Sequence, residues 1–116
     1  MSDMKLGKKQ ELFMRLLPSL INKAHELGFE IRGGDLFRDP RSHGAYGVKG
    51  VYGVSKSNHK LKLAIDLNLM KDGKLVTSTK GHKELGEWWE QQHELSRWGG
   101  RRQDGNHYAL EHWGRW

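Results

Sequence analysis

Imidazole and carboxylate groups are ordinary ligands of divalent ions, and this chain offers them at two informative places. The first is the run Ser57-Asn58-His59-Lys60-Leu61-Lys62-Leu63-Ala64-Ile65-Asp66-Leu67, with His59 and Asp66 seven residues apart. Over residues 60–69 apolar and polar side chains alternate, the period of a half-buried strand. Leu61, Leu63, Ile65, Leu67 and Leu69 share one face; Lys60, Lys62, Ala64, Asp66 and Asn68 share the other. Aspartate is poorly suited to a strand interior, so Asp66 calls for a reason. An odd offset puts His59 and Asp66 on opposite faces of one unbroken strand. In a helix they would lie ~10 Å apart along the axis. A shared ion therefore requires His59 in the turn before the strand and Asp66 on its polar face, with Ser57 bonding the local backbone to fix the turn. On spacing alone, a surface histidine and a solvated aspartate is the more ordinary reading.

The second place is Asp104-Gly105-Asn106-His107. An acid three residues before a histidine, across a Gly-Asn turn, can set both groups around one ion. His107 would then be a third ligand, and Asp104 a base for a water molecule. Two histidines, one carboxylate and an open position match a catalytic zinc site. Taken alone, the segment is more ordinarily an Asp-Gly turn before a strand. Arg38, if near a metal, suits a substrate carboxylate or a developing oxyanion; in isolation a solvated arginine is the more ordinary reading. His25, His43, His82 and His93 have no partner at ligand spacing and are expected to be surface or packing residues. His112 falls on the strand face opposite His107 and stays outside the expected site.

The elements that must position these groups follow from periodicity. Residues 8–27 carry a helical apolar stripe: Leu12, Phe13, Leu16, Leu17, Leu20, Ile21, Ala24 and Leu27. Pro18 inside it predicts a kink or two helical pieces, and Gly28 a C-terminal cap. Residues 29–32 form a short strand. Residues 41–57, with Gly44, Gly47, Gly50 and Gly53, read as a long loop of the kind that carries function. Asp72-Gly73 signals a hairpin between the strand over 60–69 and one over 74–77. Ser78 or Thr79 is placed to cap a helix over about 81–94, marked by Leu85, Trp88, Trp89 and Leu95. Residues 98–102 are expected as loop and 106–113 as the last strand. Trp88 and Trp89 suit the core, whereas Trp98, Trp113 and Trp116 are expected in loops, available to line a cleft. The class is α+β: two main helices on a small antiparallel sheet.

With 116 residues the chain makes one domain, 1–116. Apolar residues are 35% and charged ones 29%, and no run approaches the ~20 apolar residues of a membrane span. The polar first ten residues lack the apolar stretch of a signal peptide, so cytoplasmic synthesis is expected. Without cysteine, any zinc rests on His, Asp or Glu. The net charge of +6 favours anionic partners without choosing among them. The basic residues are spread along the chain instead of forming one stripe, so nucleic acid is not expected as a partner. A metal-dependent nuclease or nucleic-acid-binding protein is the rival from that class, with salt-sensitive binding as its mark.

Taken together, Ser57-x-His59-x6-Asp66, Asp104-x-x-His107 and the context Gly34-Asp35-Leu36-Phe37-Arg38 resemble the zinc D-Ala-D-Ala carboxypeptidases and phage L-alanyl-D-glutamate endopeptidases. Leu85-Gly86-Glu87-Trp88-Trp89-Glu90, Trp98-Gly99-Gly100 and Asp104-Gly105-Asn106-His107-Tyr108 look like small phage-encoded members. Lys62 stands where many members have glycine, and Asp35 where glutamate is common. The resemblance implies a Hedgehog/DD-peptidase-like fold, with Zn2+ on His59, Asp66 and His107. It makes Asp104 the general base and Arg38 the substrate-polarising arginine. It also implies a monomeric hydrolase of the peptidoglycan stem peptide, of the endolysin type. Such an enzyme is made in a bacteriophage host's cytoplasm and acts on the cell wall in the periplasm after holin-type release. The alternatives are a D-Ala-D-Ala carboxypeptidase, or a non-catalytic virion or wall-binding module of the same fold.

Overall fold

The computed structural model describes residues 4–36 and 57–116. Arg38 and residues 41–56 of the expected loop lie outside the described residues. The apolar stripe at the N-terminus forms α1 (Leu6–Glu26), which buries Phe13, Leu17, Leu20 and Ala24. Pro18 does not divide this helix. It sits on the exposed face, where the carbonyl it leaves unpaired can meet water while the buried stripe holds both halves on the core. Gly28 ends the helix at φ +93°, with Gly28 N–H donating to His25 O and Phe29 N–H to Ala24 O. That is a Schellman motif, which satisfies two of the last helical carbonyls.

Five strands follow: β1 (Glu30–Gly33), β2 (Ala64–Lys71), β3 (Lys74–Leu75), β4 (Ser96–Trp98) and β5 (His107–Leu110). The second helix, α2, spans Lys83–Glu90. The sheet is antiparallel in the order β1-β2-β5-β4, with β3 also paired to β2. Met70 pairs with Glu30 on one side and Leu75 on the other. Asp66 is flanked by Gly34 and Asp35 on one side and His107 on the other. β3 and β5 therefore share one side of β2, at opposite ends, and the sheet is open between them.

The α+β class and the two helices on a small antiparallel sheet are as expected. Several boundaries differ. Residues 60–63 are not strand: Asn58–Leu61 forms a 3-10 turn, closed by Lys62 in the left-handed region, and β2 starts at Ala64. The hairpin is tight, with Asp72 at φ 51° and Gly73 at φ 77°, and its returning strand has only two residues. Two positive φ values mark a type I′ turn, whose twist matches that of the strands. A 3-10 turn, Lys80–His82, leads into α2, and the Ser78 hydroxyl accepts from Gly81 N–H at its start. The helix stops at Glu90 instead of 94.

Residues 96–98, partly expected as loop, form β4, and Gly99–Arg102 is a further 3-10 turn. Trp98 is buried with the core instead of lining a cleft, because Gly86 and Gly100 leave space against its indole ring. The last strand ends at Leu110, and His112–Arg115 closes a small turn of its own.

The core lies between the helices and one sheet face. Leu63, Ile65, Leu67 and Leu69 of the alternating run join Phe13, Leu17, Leu20, Trp89, Tyr108 and Leu110. Phe13 meets Trp89 edge to face at 6.0 Å, and the Trp89 indole N–H donates to the carbonyls of Arg97 and Ala109. Burial of such side chains stabilises by roughly 1.5–3 kcal/mol each. Lys9 is also buried: its ammonium donates to Glu111 O at 3.0 Å and lies 3.1 Å from His112 Nδ1, which ties α1 to the end of β5. No helix among the described residues is long and apolar enough to cross a membrane.

Candidate metal centre

β2 and β5 set the distance between Asp66 and His107. In their register Asp66 stands directly opposite His107. The ladder bonds Leu110 N–H to Leu63 O and Leu67 N–H to Asn106 O make the flanking pairs the hydrogen-bonded ones. Asp66 and His107 thus form a non-hydrogen-bonded pair, the closer kind, with Cα atoms ~4.5 Å apart. On its other side Asp66 is held by Asp66 N–H to Asp35 O (2.8 Å) and Gly34 N–H to Asp66 O (3.0 Å). A Cβ on Gly34 would lie 2.8 Å from that same oxygen, so glycine permits the approach.

His59 arrives by the turn before the strand. The Ser57 hydroxyl accepts from His59 N–H, and Asn58 anchors the segment by donating to Leu110 O (2.7 Å) and Arg115 O (3.0 Å). Lys62 then reverses the chain at φ 59°, ψ 35°. Side chains rarely adopt this conformation and glycine does so freely. This carries the His59 ring over the polar face of β2, at a 5.1 Å centroid distance from the His107 ring.

The three side chains converge: His59 Nε2 is 3.2 Å and His107 Nδ1 3.4 Å from the same oxygen of Asp66. One ligand atom from each of His59, Asp66 and His107 lies within 4.8 Å of the others, and these three residues can hold a metal ion. Two features fit an ion. His59 Nδ1 lies 3.3 Å from the Leu36 carbonyl oxygen, an acceptor, so Nδ1 carries the proton. In the neutral ring Nε2 then presents its lone pair towards the Asp66 oxygen, the form a metal ligand takes, whereas the protonated ring donates to that oxygen. A carbonyl or carboxylate that orients a ligand histidine in this way is a recurring feature of metal sites. The spacing also fits: ligands ~2.1 Å from a tetrahedral ion stand ~3.4 Å apart.

The electrostatics point the same way. Burial pushes the Asp66 carboxyl up, but with no ion present hydrogen bonds and charge from the protonated forms of His107 and His59 outweigh this and hold it well below the usual carboxylate range. The group is an anion at neutral pH, as a ligand must be. The histidines are nearly inaccessible, at 2% and 5%, and His107 Nε2 is buried with no hydrogen-bond partner among the described residues.

Asp104 stands at the rim, with Oδ2 4.0 Å from His107 Nδ1 and its side chain 58% exposed. The turn that carries it is closed by His107 N–H to Asp104 O (3.2 Å) and Asp104 N–H to Gly99 O (3.0 Å). A Cβ on Gly99 would lie 2.4 Å from Asp104 O and 2.7 Å from His107 Cβ. The Trp98 indole N–H donates to Gly105 O at 2.7 Å and fixes the loop from below. Asp104, His59, Asp66 and His107 are thus brought together, while Arg38 lies outside the described residues. His112 is not in the cluster; it faces Lys9 and stacks on Trp113.

Sequence reasoning treated His82 only as a surface or packing residue and missed what it fixes. It is buried, with Nδ1 2.8 Å from the Tyr108 hydroxyl. Burial pushes its pKa down, against the Val76 carbonyl and the Asp104 charge, which act in the opposite direction. Burial pushes the Tyr108 hydroxyl far up, so it remains a donor. The pair braces the segment after β3 against the strand that bears His107. A separation of 26 residues gives no periodic signal that could have linked them.

No protein-family model matches this chain, and no curated protein matches it in sequence.

Proposed function

We propose that this chain is a zinc-dependent peptidase of the bacterial cell-wall stem peptide, of the endolysin type that cuts between L-alanine and D-glutamate. The observation that carries the reading is the convergence of His59, Asp66 and His107 on one point, with the Asp104 carboxylate at its rim. The motif resemblance names the substrate.

A zinc ion held by these three side chains supplies Lewis acidity, which polarises a peptide carbonyl and makes water acidic enough to react near pH 7. The remaining work falls to the chain. Asp104, exposed and on a braced turn, accepts the proton of the attacking water and delivers it to the leaving amine. Leu36 O keeps the His59 ring in one tautomer. Arg38, by the resemblance, steadies the oxyanion or a substrate carboxylate. In this reading the enzyme is made in a host cytoplasm, reaches the wall through holin-type release, and uses its +6 charge to stay near anionic polymers.

The test is digestion of purified peptidoglycan by wild type and Asp104→Ala, with and without chelator, followed by mass spectrometry of the released fragments. Wild type should release peptide fragments whose masses identify the L-Ala–D-Glu bond, and chelator should stop it. Asp104→Ala should lose at least ~100-fold in rate, the lower end of a positioned acid–base group's contribution. Cutting by Asp104→Ala at the wild-type rate would dismiss the mechanism.

A further inference from the structure

Asp66 and Asn68 share the polar face of β2, so the face that carries the candidate metal ligand continues two residues further along the strand. There the partners of β2 part. Leu67 N–H donates to Asn106 O (2.9 Å) at one end, and Leu69 O accepts from Val76 N–H (2.8 Å) at the other. The opening between these bonds is about 7 Å long, the reach of about two extended residues. It holds a groove of about 290 Å³, walled by residues 75–79 and 103–106, with Asn68 between them. Asp104 lines the groove, so it begins at the rim of the metal centre.

Asn68, Thr77, Thr79, Gln103 and Asn106 are among its polar groups. These are amides and hydroxyls, each able both to donate and to accept. They suit the alternating N–H and C=O groups of a peptide backbone, which need a partner of each kind. The walls are braced in advance, which lowers the cost of ordering them around a ligand. A Cβ on Gly105 would lie 2.6 Å from the Thr79 Cα, and His82 and Trp98 fix the two sides through Tyr108 and Gly105.

The position of the groove gives it a role. A base that returns its proton to the leaving amine must lie beside that amine. The groove adjoining Asp104 is therefore on the leaving-group side of the scissile bond. We infer that it is a peptide-binding subsite that seats the second and third residues after the scissile bond through their backbone amides. This rests on the peptidase reading and deepens it by naming the length of substrate the site is built for. The first leaving residue lies at the rim, and the chain beyond it runs along the opening in β2. A substrate that ends after one leaving residue makes none of these contacts. The groove thus favours an internal bond over the removal of a single terminal residue.

The experiment uses a peptide series with zinc-loaded protein. Its parent is acetyl-L-alanyl-D-isoglutamine amidated at the γ-carboxyl; the others are extended there by one, two or four alanines and end in an amide. All are uncharged, so only the length after the scissile bond varies. The expected result is a kcat/KM about tenfold higher with three leaving residues than with one, the effect of one or two net peptide hydrogen bonds, and no further rise with five. Thr77→Phe, which fills the groove from an exposed wall position, should bring that ratio close to one. Equal kcat/KM for one and three leaving residues overturns the inference, as does a Thr77→Phe variant that keeps the full ratio. If no peptide is cut, the peptidase reading falls, and binding decides the groove separately. The shortest and the three-residue peptides are then titrated into isotope-labelled protein and followed by NMR. Shifts at Asn68, Thr77, Thr79 and Gln103 that are larger with the longer peptide uphold the subsite. Equal shifts with both peptides, or none with the longer one, overturn it.

Discussion

Two glycine-to-alanine changes, both in helices, should act in opposite directions. Gly7 in α1 has nothing within 4 Å of an added Cβ. Gly86 in α2 has the Trp98 ring there, with Cδ2 at 2.1 Å, Cε2 at 2.3 Å and Cγ at 2.4 Å. Ordinary contact begins at 3.4 Å, so the indole or the helix must yield by about 1.3 Å. The indole is poorly placed to move. Its N–H is bonded to Gly105 O, its far edge rests on Gly100, and its backbone pairs with Tyr108. Overpacking of a tight site costs about 1–3 kcal/mol, and the upper end applies to a ring pinned on three sides. Alanine returns about 1 kcal/mol as a better helix former, leaving a net loss of about 2 kcal/mol for Gly86→Ala. Gly7→Ala keeps only the gain, about 0.5 kcal/mol so near a helix end. For a domain of this size 1 kcal/mol moves Tm by about 4 °C. Thermal denaturation followed by circular dichroism should therefore show Gly86→Ala falling by about 8 °C and Gly7→Ala rising by about 2 °C. Because Trp98 holds the Asp104 turn, Gly86→Ala should also lower peptide cleavage at temperatures where it remains folded. Equal stability of the two variants would refute the packing argument.

Other consequences follow from single residues. Lys62→Gly relieves a left-handed backbone strain of about 1 kcal/mol, so it should raise Tm by a few degrees and leave metal affinity unchanged; a fall in Tm would show that the lysine side chain matters more than its φ. Burial holds His82 below its ordinary value, and burial together with the Lys9 charge does the same for His112. Below the unfolded histidine pKa of about 6.5 the unfolded chain binds more protons than the folded one. The stability these histidines contribute is therefore full above that pH and lost as pH falls towards their lowered folded values. Chemical denaturation of metal-free protein from pH 8 to pH 5 should show this decline, with a shallower slope in His112→Gln. An increase in stability over that range would contradict the burial assignment.

The alternating run over 60–69 made both the strand and the out-of-place Asp66 visible, because a period of two is a strong signal. It could not show where the strand begins. Residues 60–63 continue the alternation, yet Asn58 bonds to Leu110 O and the left-handed Lys62 turn them into a 3-10 segment. That local departure is what brings His59 to Asp66, so the odd offset was informative once it was treated as a geometric obstacle. The hairpin at Asp72-Gly73 and the cap at Gly28 were legible because positive φ leaves a mark in residue type. β4 was not, since three residues carry no period and its pairing with β5 is a tertiary fact. Lys9 lies off the apolar stripe, and nothing in the sequence marks it as buried; only the end of β5, a hundred residues later, makes it so. The cross-strand pairing of Asp66 with His107 was likewise invisible, because register is set by packing and not by either segment alone.

The central claim is that His59, Asp66 and His107 form one metal site. Equilibrium dialysis of the purified chain against zinc, followed by elemental analysis, measures it directly. Wild type should hold one zinc per chain, and His59→Ala and Asp66→Ala should each hold far less under the same conditions. A wild type that returns from dialysis without zinc, or variants that retain one equivalent, would contradict it.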